Sequence, residues 1–246
     1  MRRVLVQRHG FRIYSYPAMV YLGSVFGIVA GNYAARLMDL DPFRVFIAML
    51  LLTIPALVGG RLLFVATHWR LYRQDLSRIW RQHEGGGRLV GGIPFTFFIS
   101  LPLLSALEIP FWRFWDAATV TILVGMSIGR IGCLLNGCCA GRPTGSRFGL
   151  HLPDHQGVWC RRIPTQLLEM ASTVTLLAGV VVIWDRVPFS GTIFLFALGG
   201  YGVARFLLEP TRVERDEVEK ISIYRVTSVF LIVISITIFL IRLFGI

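Results

Sequence analysis

The sequence predicts an all-α membrane protein with about seven transmembrane helices, and three observations predict it. Of its 246 residues 54% are hydrophobic and only 16% charged, where a water-soluble domain carries about a quarter charged residues. The mean hydropathy is +0.64. Seven mainly apolar runs approach the roughly 20 residues that a helix needs to cross the hydrocarbon core, and only a helix satisfies its own backbone polar groups within a run of that length in lipid.

The first run, 16–35, follows the basic stretch MRRVLVQRHGFR, as in a signal peptide. It is too long for one and no small-residue cleavage site closes it, so it reads as an uncleaved first span. The second, 43–66, passes through GGRLLF. After it WRLYRQDLSRIWRQ, 69–82, repeats Trp69, Tyr72, Leu76, Ile79 and Trp80 at helical spacing with arginines between them. That pattern predicts a helix lying in the headgroup layer, either an anchor or one flank of a lateral lipid entrance. The third run, 89–107, is rich in Gly and Pro; the remaining four are 117–135, 167–184, 189–208 and 222–241, with a polar loop over 136–166. Neither an internal repeat nor a soluble segment interrupts them, so 1–246 reads as a single membrane domain.

The formal net charge is +11, carried by 24 arginines and one lysine against 14 acids. Nucleic acid is a poor partner for that excess, because basic residues interrupt lipid-spanning helices instead of lining a soluble face. Anionic lipid headgroups are the better one. Seven spans place Arg61, Arg130, Glu169, Tyr201, Arg205 and Glu209 near the face that holds the N-terminus. A charge at the bilayer centre costs about 2.5 to 3.5 kcal/mol on insertion scales and is tolerated where it pairs or does work. Three arginines here meet two carboxylates, and the surplus suits a lipid phosphate. Tyr201, Arg205 and Glu209 stand four apart and so share one helix face. Taken singly, Arg205 and Glu209 read equally as an ion pair at a helix end, and Arg130 as a side chain snorkelling to the interface.

Gly129, Gly132, Gly137 and Gly141 surround Arg130 and permit close approach of helices or substrate. Among them stand Cys133, Cys138 and Cys139, with Cys160 further on. Their spacing is compatible with a metal site completed by His151, His155 or Cys160. It is also compatible with cysteines used as small buried apolar residues. A Cys138–Cys160 disulfide would need an oxidising compartment. The loose spacing favours the apolar role, and no metal or cofactor is expected.

These segments together resemble the prolipoprotein diacylglyceryl transferase family over roughly residues 16–212. GRIGCLLNGCCAGRPT, 129–144, resembles the family signature GR-x-GNF-x-NGE-x-x-G-R, and GGYGVARFLLEPTR, 199–212, resembles GYG-x-x-R-x-x-x-E-x-x-R. PTQLLE at Pro164 resembles P-[ST]-QLYE, GGRLLF at Gly59 the GGR turn, and EGGGRLVGGI at Glu84 the DGG-x-x-x-HGG loop; Tyr16, with Tyr21 and Gly23, resembles the first-helix tyrosine segment. The resemblance implies transfer of a diacylglyceryl group from phosphatidylglycerol to the cysteine thiol of a membrane-anchored prolipoprotein, with release of glycerol phosphate. It implies that Arg130, Arg205, Glu209 and Tyr16 are the reacting set. Substrate contacts would come from Arg61, Asn136, Gly137, Gly141, Arg142, Gln166, Glu169, Tyr201, Cys133 and Cys138.

Four positions depart from the pattern. Val90 stands where the family has the histidine proposed as base, Cys133 and Cys138 replace the signature Asn and Glu, and Ile163 replaces a histidine before PTQ. Glu209 or Glu169 is then the substitute base, or the arginine field acts alone. The departures keep two alternatives open, a phospholipid-dependent transferase with a different acceptor and a phospholipid-binding paralogue without turnover.

The resemblance places the protein in the bacterial inner membrane with its site toward the periplasm. Arginine and lysine counts oppose that orientation, with sixteen in the loops on the N-terminal face against five on the other, which the positive-inside rule reads as cytoplasmic. Arginines that cluster to bind an anionic lipid would spoil the count; otherwise the topology is inverted.

Overall fold

A computed structural model describes residues 4–8, 11–67, 69–73, 89–154, 156–213, 217–218 and 221–245. All seven apolar runs are helical: α1 (Ser15–Leu37), α2 (Pro42–Thr67), α4 (Leu89–Ala106), α5 (Phe111–Asn136), α6 (Thr165–Ile183), α7 (Thr192–Leu208) and α8 (Ile223–Phe244). Six are long and apolar enough to cross a membrane, and α4 is the shorter, proline-interrupted one, as its composition predicts. Of the expected interfacial helix only α3 (Trp69–Tyr72) is described; 74–88 lie outside the described residues. Within α3 Tyr72 is buried and meets Phe64 edge-on, so that ring is packed against protein and does not face the headgroup layer.

The chain divides into two compact units, Ala35–Phe114 and Met1–Ala34 with Trp115–Ile246. In the first unit α2 and α4 run antiparallel. Arg44 near the start of α2 bonds the Leu107 carbonyl beyond the end of α4, while Gly92 near the start of α4 lies against the backbone of Ala56. Asp41 caps α2 by accepting from the Phe43 and Arg44 amides, the usual way to satisfy the first amides of a helix.

The other unit is a series of antiparallel neighbours joined by small residues. Helix α1 crosses α5 at Gly23 with Gly125 and at Gly27 with Thr121, and again at Gly132 with Tyr16 and Met19. The Ser127 and Thr173 hydroxyls bond across α5 and α6 at 3.0 Å. Gly179 meets Phe196 and Gly200 meets Leu176 between α6 and α7; Gly199 and Gly202 meet Ser235 and Ile232 between α7 and α8. Lipid tails give apolar side chains no reason to leave the membrane for a partner helix, so close backbone packing takes over as the source of association.

Alternation of direction brings the start of α1, the end of α5, the start of α6, the end of α7 and the start of α8 to one end of this unit. At the opposite end Asp116 of α5 accepts from the amides of Gly191 and Phe194, which fastens α5 to the N-terminus of α7 through its unpaired amides. The region 136–166, expected as a polar loop, holds an antiparallel hairpin of β3 (Leu150–Pro153) and β4 (Trp159–Arg162). A second hairpin, β1 (Val4–Arg8) with β2 (Phe11–Tyr14), precedes α1.

A Cβ at Gly27 would stand 2.6 Å from the Thr121 carbonyl oxygen, whereas one at Gly129 meets nothing within 4 Å. Gly27→Val is therefore expected to force α1 off α5 and to cost about 1 to 3 kcal/mol, as overpacking does. Gly129→Ala is expected to leave the protein at least as stable. Unfolding of the two variants in mixed micelles of increasing SDS content checks the difference.

Candidate functional site: three guanidinium groups on a shared carboxylate

Glu169, on the first turn and a half of α6, is 4% exposed and meets three arginines. Its Oε2 lies 2.7 Å from Nη1 of Arg130, on α5. Its Oε1 lies 2.5 Å from Nη1 of Arg205, on α7, and 3.3 Å from Nη1 of Arg212. Arg205 also reaches Glu209 through Nη2 at 3.1 Å, and its guanidinium plane lies 4.2 Å from the centre of the Tyr224 ring of α8. Among the described residues three cations and two carboxylates meet in this cluster, a difference of one positive charge. A narrow cleft beside it is lined by Met126, Arg130, Glu169, Tyr201, Arg205 and Leu208, among others.

The sequence expectation of a Tyr201–Arg205–Glu209 stripe holds for position and for pairing. Helix α7 ends at Leu208, and a 3-10 turn over Glu209–Thr211 carries the chain on, so Glu209 is fully buried beneath Arg205 and not at an exposed helix end. The third arginine of the cluster is Arg212, which loop counting assigns to the headgroup region. Its signal was the last letter of GGYGVARFLLEPTR. Arg61, expected among the three, belongs to the other unit, where its guanidinium lies 5.6 Å from the Phe64 ring centre and 5.5 Å from that of Tyr72.

Arg212 is placed by a three-stranded clasp. The Arg142 amide donates to the Thr211 carbonyl at 2.8 Å, the Val213 amide to Ala140, and the Ile163 amide to Arg142. Gly141 faces Arg212 in this pairing; a side chain there would strike the Ile163 carbonyl and the Thr165 hydroxyl, so glycine is required. The Arg142 side chain is exposed and its Nε donates to the Arg212 carbonyl at 3.1 Å. It thus positions Arg212. Thr165 and Thr211 bond at 3.0 Å. In the hairpin Arg162, 5% exposed along its side chain, pairs with Asp154 at 2.8 Å, a buried pair that residue spacing did not reveal.

Asn136 ends α5, and Gly137 leaves it with φ of 78°, a backbone conformation for which glycine has no steric penalty. Gln166, 2% exposed, donates through Nε2 to the Cys138 carbonyl at 3.0 Å. Tyr16 lies at the start of α1 where Gly132 crosses it, and its side chain is partly exposed. The side chain of Val90 lies outside what is described.

Cys133, Cys138 and Cys139 come together with their sulfur atoms all within 4.8 Å of one another. All four cysteines are free thiols. Hydrogen bonds from the Cys133 and Cys138 thiols hold the Cys139 thiol well below its ordinary range; burial opposes this, and the charges of Arg212 and Arg130 reinforce it. Of the partners that spacing offered, Cys160 sits on β4, His151 stacks on Trp159 at 5.5 Å, and His155 lies outside the described residues.

The profile of a family described as prolipoprotein diacylglyceryl transferase matches residues 3–241. Two curated proteins named phosphatidylglycerol–prolipoprotein diacylglyceryl transferase, from Bacillus cereus (strain B4264) and Bacillus anthracis, are similar to this chain. Each is 29% identical over 254 residues, and the alignment covers 98% of this chain and 92% of the relative.

Removing one partner of a buried ion pair strands the others and costs about 3 to 5 kcal/mol. Glu169→Gln is expected to destabilise the protein by at least that much, since three guanidinium groups lose their anion. Glu108→Gln, at an ion pair with Arg44 whose side chains are 78% and 45% exposed, should cost under about 1 kcal/mol. Unfolding midpoints of the two variants in the same detergent check the contrast.

Proposed function

Because this chain belongs to the prolipoprotein diacylglyceryl transferase family, we propose that it transfers diacylglyceryl from phosphatidylglycerol to a prolipoprotein cysteine. The observation that carries this is the excess of one guanidinium over the carboxylates in a buried cluster beside a cleft. The sulfur of the acceptor, once its proton is lost, bonds to the glycerol carbon that carries the phosphate. The carbon–oxygen bond breaks as that bond forms, and its electron pair leaves on glycerol phosphate. The departing group gains negative charge, and fixed guanidinium donors stabilise that change more than they stabilise the bound lipid.

Residue roles follow from exposure and pairing. Arg130 and Arg212, with side chains 16% and 11% exposed against 5% for Arg205, take the phosphate. Arg205, pinned between both carboxylates, holds the field in place. Glu169 and Glu209 serve as the cluster's counter-ions. Tyr201 shapes the cleft wall, Tyr16 stands where α1 crosses Gly132, and Asn136, Gly137, Gly141, Arg142 and Gln166 fix the loop that presents Arg212. Cys133 and Cys138 border the same loop. Lipid and the membrane-anchored prolipoprotein enter sideways, from the periplasmic leaflet of the inner membrane.

Val90, Cys133 and Cys138 favour a second reading, in which the same lipid donor serves a different acceptor. Purified protein given phosphatidylglycerol and a lipobox peptide is expected to release glycerol phosphate. Release with another thiol and none with lipobox peptides would establish the second reading instead. Arg130→Ala is expected to lose at least about a hundredfold in rate, the scale of removing one transition-state donor, Arg205→Ala to lose rate because the field it holds in place is lost, and Arg113→Ala, exposed on the other unit, to change little. A reporter fused after Ile246 should read out in the cytoplasm, since seven spans put the two ends on opposite sides. A periplasmic readout would refute the periplasmic site.

A further inference from the structure

Two members of the cysteine trio, Cys133 and Cys138, replace polar signature residues, yet the diacylglyceryl reaction assigns the trio no work. Three features show a built arrangement. Cys133 lies on the last turn of α5 and is buried, which fixes one sulfur on a rigid element. Cys138 is held through its carbonyl by Gln166, and Ala140 through its carbonyl by the Val213 amide, so the loop cannot drift. Cys139 adopts a φ of 58°, a left-handed backbone that costs a non-glycine residue of order 1 kcal/mol or more. Glycine would be unstrained at that position, but a glycine has no thiol to bring back toward Cys133 and Cys138.

We propose that Cys133, Cys138 and Cys139 form a three-thiolate site for one soft divalent metal ion of the zinc class, with the fourth coordination position open. Zinc–sulfur bonds of about 2.3 Å at tetrahedral angles set sulfur atoms about 3.8 Å apart. The three sulfurs, already within 4.8 Å, reach that spacing by side-chain rotation of about 1 Å. A ligand set made only of sulfur selects zinc or copper-class ions over magnesium or calcium. Charge also closes. Three thiolates with a divalent ion carry one negative charge, and the adjacent cluster of Arg130, Arg205 and Arg212 with Glu169 and Glu209 carries one positive charge. Binding expels the thiol protons to water.

Three protein ligands and an open position are the pattern of a catalytic site, where a structural site closes with four. A substrate thiol entering the open position forms a metal–sulfur bond and gives its proton to water, because a coordinated thiol is deprotonated outright. The sulfur then attacks carbon as described above, and the metal–sulfur bond breaks as the thioether leaves the open position. This use, which rests on the diacylglyceryl reading, supplies the deprotonation that Val90 cannot perform.

The test uses the full chain in detergent, purified with reductant and chelator and then titrated with cobalt(II) as a spectroscopic stand-in and with zinc. One cobalt ion per chain with thiolate-to-metal absorption, displaced by zinc, is expected. Cys133→Ser and Cys139→Ser should lose that absorption while Cys160→Ser keeps it, and unfolding in SDS confirms that the serine variants are folded. Absence of uptake, equal uptake by the Cys133→Ser/Cys138→Ser/Cys139→Ser variant, or a disulfide between any two of the three in protein isolated without reductant would overturn the site. In the glycerol phosphate assay, chelation should lower release at least about tenfold and zinc restore it. Chelator-insensitive release overturns the proposal while the diacylglyceryl reading stands. Cobalt binding without release from any lipobox peptide sinks that reading and supports the site.

Discussion

Glu169 accepts three guanidinium groups from three separate segments, and the end of the helical unit around it is organised by that fact. A carboxylate this buried is expensive alone, as are three arginines near lipid. Together they are tolerable only if α5, α6, α7 and the segment that follows α7 hold their present distances. Arg205 is bracketed by Glu169 and Glu209 and covered by Tyr224, so it is the most fixed of the three. Arg130 lines the cleft and is less buried than Arg205. An anion entering there meets charge that is already oriented, and little reorganisation is left to pay for during reaction.

The helices deliver this cluster through packing that has no charge in it. Gly23, Gly27 and Gly125 let α1 and α5 touch backbone to backbone; the same role falls to Gly179 and Gly200 between α6 and α7. Antiparallel neighbours necessarily gather alternate ends. The polar residues at the end of one helix and the start of the next therefore meet without any long-range signal in the chain. Asp116 at the far end and the clasp of 140–144, 161–163 and 211–213 at the near end fix the remaining freedom.

The departures from the family signature fall into two physical kinds. Val90 stands in the loop that resembles DGG-x-x-x-HGG and has no group able to carry a proton. Cys133 and Cys138 remove oxygen and nitrogen donors and install sulfur, and Cys139 then completes a group of three. Read singly, each cysteine looks like a small apolar filler. Only their common placement around the turn at Gly137 gives them a shared chemistry.

Composition and run length sufficed to determine that this chain is a helical membrane protein, where its helices lie and that arginines outnumber acids near one face, because each of these depends on local hydropathy and on counting. The motif ending in Glu209 and Arg212 also contained Arg205, Glu209 and Arg212, which the structure brings into one cluster. What the chain could not disclose was which arginines share an anion. Arg212 lies 43 residues from Glu169 in sequence and reaches it only through the clasp, while Arg61 looked equivalent on every local measure. The cysteine trio was hidden for the same reason: the C-x4-C spacing left its third member open, and the left-handed backbone at Cys139 decided it. Tertiary structure decided these points because side-chain partnership is set by how helix ends and turns converge, and hydropathy carries no record of that.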